Sequence, residues 1–262
     1  MNLNLTGKSA LVCGSTQGLG KASAVELALL GASVVLMARN EQSLQKTQSE
    51  LDTSKGQKHS FIVADFSDVK QVGERVNEFV KKNPPVHILV NNTGGPPGGP
   101  IVDAALKEFV DAFSAHLLCN HILTQAVVPG MKAEHYGRII NIISTSVKQP
   151  IAGLGVSNTI RGAVASWAKT LAGELAPFGI TVNNVLPGMT KTGRLDALIK
   201  SKSETSGKSI EQITNEMIAE IPAGRFAMPE EFGAVVAFLA TPAASYINGI
   251  NLPVDGGRTL SL

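Results

Sequence analysis

With 262 residues, 44% apolar and 17% charged, the chain has the composition of a packed globule rather than a disordered or fibrous protein. A formal charge of +2, with no basic run interleaved with aromatics, excludes nucleic acid or a membrane surface as the expected partner. Cys13 and Cys119 form neither a disulfide framework nor zinc spacing, Met1–Lys8 lacks an apolar leader, and no run spans a bilayer, so a soluble cytoplasmic protein without a metal is expected.

In chain order, short apolar runs alternate with longer stretches of helical period. The runs are Ser9–Cys13, Ser33–Met37, Ser60–Ala64, His87–Val90, Arg138–Ile143, Thr181–Val185 and Ile250–Val254. None alternates strictly, as expected of strands buried on both faces. Helices are predicted near 19–30, 41–54, 69–82, 103–133, 152–176 and 229–240. The pattern predicts an α/β fold, a doubly wound, seven-stranded parallel sheet with helices on both faces, in one domain over 1–262. Two segments break the rhythm. Gly94–Pro100 is too rich in Gly and Pro for a helix, and 190–228 is long and polar with a weak helical pattern, which reads as a lid.

The first strand runs into Gly14-Ser15-Thr16-Gln17-Gly18-Leu19-Gly20 and then into a helix, the order of a Rossmann-type dinucleotide loop. Gly14 permits the tight turn, Gly18 lets backbone N–H groups approach a pyrophosphate, and Gly20 brings the helix close to the sheet. The second strand leads to Arg39 rather than to an acidic residue. A guanidinium fork suits a ribose 2′-phosphate, so NADP(H) is favoured and NAD(H) stays open.

The spacing resembles the short-chain dehydrogenase/reductase family, in its 3-oxoacyl-(acyl carrier protein) reductase-like branch, from Leu5-Thr6-Gly7-Lys8 to Val254-Asp255-Gly256-Gly257. The resemblance implies further cofactor contacts: Asp65 and Phe66 at the adenine, and Asn92, Thr93 and Gly94 in a turn beside the cofactor. It also implies contacts from Pro187, Gly188, Thr190 and Thr192, with Thr192 at the nicotinamide carboxamide. It implies a homo-oligomer, commonly a tetramer, built through the long helices near 103–133 and 152–176 and the last strand.

The catalytic positions depart from that pattern. Family reductases use Ser, Tyr and Lys with an Asn on the preceding helix; counting from Ile180-Thr181-Val182-Asn183, these fall on Ser144, Ser157, Arg161 and His116. A Lys ammonium tunes a Tyr phenol into an acid, whereas a Ser hydroxyl cannot be tuned that way and Arg cannot shuttle a proton. Positions 157 and 161 share a helix face, so Arg161 retains the charge that holds ribose hydroxyls. His116 titrates in a suitable range for a substitute acid, with Lys148 a second candidate; His116 and Cys119 lack a third metal ligand. Tyr136 and Tyr246 fall away from the site by topology and read as structural.

The expected activity is NAD(P)(H)-dependent interconversion of a small-molecule carbonyl and alcohol with a non-standard proton donor. The competing expectation is a homologue that binds the cofactor without turnover, in a sensing or structural role.

Overall fold

In the computed structural model, which describes Met1–Ser261, one parallel sheet runs in the order β3-β2-β1-β4-β5-β6-β7. Its strands are β1 (Ser9–Cys13), β2 (Ser33–Ala38), β3 (Ser60–Val63), β4 (Ile88–Asn91), β5 (Gly137–Ile142), β6 (Ile180–Pro187) and β7 (Asn251–Val254). Residues from both faces of each central strand are buried, which explains the unbroken apolar runs. Ala10 and Val12 of β1 face one core, while Leu11 and Cys13 face the other.

Helices α1 (Gly18–Leu29), α2 (Glu41–Ser49) and α9 (Pro229–Leu239) cover the first face, seating Leu27, Leu44, Phe232 and Val236. Helices α3 (Val69–Lys82), α5 (Cys119–Ala133) and α6 (Gly155–Leu175) cover the second with Val72, Val76, Leu123 and Ala168. The order reverses between β1 and β4, where a doubly wound sheet opens a crevice at its carboxyl edge.

Several element ends differ from the sequence reading. Helix α2 stops at Ser49 rather than 54, because the Asp52 carboxylate accepts from Ser54 N (2.7 Å) and Gly56 turns the chain at φ 80°. The helix expected over 103–133 begins as α4 (Leu106–Phe113), after a 3-10 turn at Ile101–Asp103. It then passes through a π-helical segment, Ser114–Leu118, before continuing as α5. The GGPPGGP segment is irregular, as its composition requires.

The polar stretch after β6 folds into α7 (Gly193–Ser206) and α8 (Ile210–Ala219). Leu195, Ile199, Ile213, Met217, Ile221 and Phe226 give this pair its own small core. Ser209 and Gln212 form a capping box that starts α8. The segment is tied to the body where Lys191 N donates to Ala227 O (2.9 Å) and Ala227 N to Met189 O (3.0 Å).

One buried polar row crosses the sheet. Asn91, Asn141, Asn184 and Asn251 stand in register on β4 to β7, each amide donating to the next across the strands at 2.8–2.9 Å. Each shared bond offsets the cost of burying an amide. No helix among the described residues is long and apolar enough to cross a membrane.

Candidate active site

The glycine loop is fixed by bonds from two sides. Gly14 N donates to Met37 O (2.8 Å), and Met37 N donates back to Ser15 Oγ (3.0 Å), fixing the loop to β2. From β4, Asn92 Nδ2 donates to the carbonyls of Cys13 and Gly14, both at 3.2 Å. Gly14 and Gly18 adopt φ 58° and 54°, the left-handed region that favours glycine. A Cβ on Gly20 would stand 2.2 Å from the Gly14 carbonyl oxygen.

Helix α1 starts here with no side-chain cap and no acidic residue in its first turn. Its free N–H groups face an uncovered loop, which suits a pyrophosphate. Ser15 is fully buried and its hydroxyl is used within the protein, whereas Thr16, Gln17, Gly18 and Leu19 keep partial or full exposure.

At the far end of the loop, Arg39 is largely exposed and lies 3.9 Å from the Asp65 carboxylate. Bonds from Ser67 keep the Asp65 carboxyl below its ordinary range, Arg39 adding to the effect. Phe66 points into the core, and its carbonyl accepts from the buried Cys119 Sγ (3.5 Å).

The four positions read from sequence as catalytic lie at the end of β5, on α6 and in the π segment. Ser144 ends the extension of β5, and its hydroxyl accepts from Ser146 N (3.0 Å) at the head of a 3-10 turn. Ser157 and Arg161 are both buried on α6, four residues apart. Arg161 Nη1 donates to the Ile142 carbonyl (3.1 Å). Burial, with the Arg194 charge, lowers the Arg161 pKa to about 10, so it stays cationic at neutral pH.

His116 sits within the π segment, only 2% exposed, and bonds to the Gly94 backbone. Such segments commonly re-aim a functional side chain. The expectation that His116 titrates near neutrality is corrected: burial, then the charges of Arg161 and Arg194, press its pKa to about 3. It is a neutral imidazole at physiological pH and not a proton reservoir.

The 187–194 segment closes the site. Gly188 passes so close to Asp255 that a Cβ would meet its Cα at 2.5 Å. Thr190 is buried, and the Thr192 side chain faces Gly18, tying this segment to the glycine loop. Arg194, on the first turn of α7, was not singled out from sequence. Its guanidinium nitrogens lie 2.7 Å from where a Cβ on Gly95 would stand. The contact joins positions about a hundred residues apart; the available signal was a glycine pair, Gly94–Gly95, able to admit a planar group.

The model of a family described as "Enoyl-(Acyl carrier protein) reductase" matches residues 14–259 of this chain. The chain belongs to the short-chain dehydrogenase/reductase family. Relatives include gluconate 5-dehydrogenase of Gluconobacter oxydans (strain 621H), 32% identical over 99% of this chain and 97% of the relative. A 3-oxoacyl-[acyl-carrier-protein] reductase of Vibrio cholerae serotype O1 is 34% identical over 97% of this chain and 98% of the relative. L-sorbose reductase from Gluconobacter frateurii, solved with NADPH and L-sorbose, superposes with a TM-score of 0.93 at 30% identity, covering 100% of both chains. As a short-chain dehydrogenase/reductase, this chain is a nicotinamide-dependent oxidoreductase with NADP(H) favoured.

Both tyrosines of this short-chain dehydrogenase/reductase have other work. Tyr136 lies between the Lys8 ammonium and the Arg138 guanidinium, 4.4 and 4.2 Å from its ring centre, and its hydroxyl donates to Ala240 O (2.6 Å). Tyr246 is fully exposed. Lys148 is half-buried beside the Ser144 turn, its carbonyl accepting from Ser261 Oγ (3.5 Å). Among the described residues no three His, Cys, Asp or Glu side chains cluster to hold a metal.

Proposed function

We propose that this chain uses NADPH to reduce a small-molecule carbonyl to its alcohol, through Ser144, Ser157 and Arg161. The observation that carries the reading is the buried Ser157–Arg161 pair on α6, with Arg161 bonded to Ile142 two residues before Ser144, in a chain whose glycine cradle has the geometry for a dinucleotide. Gly14, Gly18, Gly20 and the open start of α1 would take the pyrophosphate, Arg39 the 2′-phosphate, and Thr192 the carboxamide. When bound, the cofactor supplies a hydride to the carbonyl carbon.

The chain's own residues handle the oxygen. Ser144 Oγ–H donates to the carbonyl oxygen and polarises it. The Arg161 cation holds ribose hydroxyls and favours the negative charge that grows on the substrate. Ser157 Oγ, unbonded to protein among the described residues, passes a proton from water to the alkoxide. A tuned acid contributes about 10²–10⁴-fold, while orientation of donor and acceptor is worth about 7–11 kcal/mol, so turnover persists at a reduced rate.

The same reading takes the chain as one cytoplasmic domain, with its two cysteines free and buried, and 190–228 as a lid. It also takes the protein as a homo-oligomer, supported by Leu106, Val110 and Phe113, which expose one apolar stripe on α4.

The test follows NADPH absorbance over a carbonyl panel. The native protein is expected to turn over, with Ser144→Ala slower by about 10²–10³-fold. A Ser157→Tyr/Arg161→Lys double variant is expected to be faster than native. Turnover by the double variant alone would reduce the native chain to a cofactor binder.

A further inference from the structure

We infer that Arg161 and Arg194, beside the neutral His116 imidazole, form a recognition site for an anionic group carried by the substrate, a carboxylate or phosphate close to the reacting carbonyl. The inference rests on the carbonyl-reductase reading and names its substrate class.

Arg161 is buried, and its hydrogen bond goes to a neutral carbonyl, that of Ile142. Among the described residues neither Arg161 nor Arg194 makes an ion pair, whereas Arg225 and Arg258 each hold a glutamate at 2.6–2.7 Å. A buried cation without a counter-charge is costly, and a bound anion removes that cost.

The second guanidinium approaches from a different element. Arg194 reaches from α7 across the crevice to lie against Gly95, where the missing side chain leaves room for its plane. His116 bonds to the adjoining Gly94 backbone, so both groups meet at the same short turn. With its one N–H directed to the Gly94 carbonyl, the neutral imidazole places no charge of its own beside the two guanidinium groups.

The rim is predominantly basic, with Asp255 the acidic residue against Gly188. The stretches 92–102, 143–162 and 187–195 carry Lys148, Arg161, Lys191 and Arg194 and not one Asp or Glu. Over the whole chain Lys and Arg outnumber Asp and Glu by only 23 to 21, so the local excess is not a property of the surface at large. A predominantly basic cleft between low-dielectric walls concentrates anions, and guanidinium forks match oxyanion geometry. The cofactor's pyrophosphate is a second possible source of the oxyanion, but the uncapped start of α1 already provides for it. We therefore assign the charge to the substrate.

The test has two arms. The first is steady-state NADPH oxidation with 2-oxo and 3-oxo acids beside their methyl esters. The second is calorimetric titration of the protein–NADP+ complex with oxalate and malonate, and of the free protein with NADP+. Acids are expected to exceed esters at least tenfold in kcat/KM. Arg194→Gln is expected to narrow that ratio and weaken oxalate or malonate binding at least tenfold, with Arg194→Lys partly restoring both. NADP+ affinity of Arg194→Gln stays within threefold of native. Equal use of acid and ester, or no binding of either dicarboxylate, overturns the inference. So does a loss in Arg194→Gln of NADP+ affinity equal to the loss of dicarboxylate affinity, which would assign the charge to the cofactor. If neither acid nor ester is reduced, the reductase reading falls while the dicarboxylate titration still decides the anion site.

Discussion

At the scale of single residues, His116 illustrates how burial redirects a side chain's chemistry. In the unfolded chain it takes a proton near pH 6.5; folded, it stays neutral down to about pH 3. Between those values the unfolded state binds more protons, so stability falls as pH falls below 6.5. His87 is depressed in the same direction by burial and Lys8 and adds to the slope. A His116→Asn variant is expected to flatten the loss between pH 6.5 and 4.5 by up to about 1.4 kcal/mol per pH unit, measured by urea unfolding. An unchanged slope would mean that the imidazole is already protonated in the native protein. The position of His116 was legible from the spacing of Asn183 and Arg161. Its protonation state was not, because that depends on a π turn and two arginines brought in from α6 and α7. Arg194 was invisible for the same reason: no local pattern joins it to Gly95.

At the scale of elements, the junction of β1 and α1 concentrates the strictest geometry in the molecule. Its geometry was readable because close backbone approach demands glycine, and that demand is written in consecutive residues. The side chain of Asn92 is the non-local part, locking the loop from β4. A Gly20→Ala substitution forces the added methyl against the Gly14 carbonyl and the Asn92 amide, so α1 must move off the sheet. Expected are a lower melting temperature and a loss of NADP+ affinity of at least tenfold, read by thermal unfolding and calorimetry. Native-like NADP+ affinity in this variant would count against the loop as the pyrophosphate site. The long helix before β5 was legible as a helix, but its π segment was not, since one extra residue in a turn leaves the apolar spacing almost unchanged.

At the scale of the molecule, the parallel, doubly wound sheet followed from the alternation of apolar runs with helical stretches, because parallel neighbours need a crossover between them, while the order of its strands came only from the structure. Assembly is the property that this scale adds. Leu106, Val110 and Phe113 recur along one face of α4 and keep 85%, 63% and 40% of their surface exposed. A Val110→Glu/Phe113→Asp double variant is expected to sediment as a smaller species than the proposed homo-oligomer, with the sheet's circular dichroism retained. Identical sedimentation of native and variant would exclude α4 as the contact. The asparagine row has a consequence of another kind, for how the sheet is assembled in time. Parallel strands separated by long crossovers pair slowly, and apolar strands slide past one another at little cost. A slip of one residue between β4 and β7 would strand these amides in an oily interior, at about 1–3 kcal/mol for each unpaired group. The row therefore sets the register of these four strands by making a misaligned sheet costly.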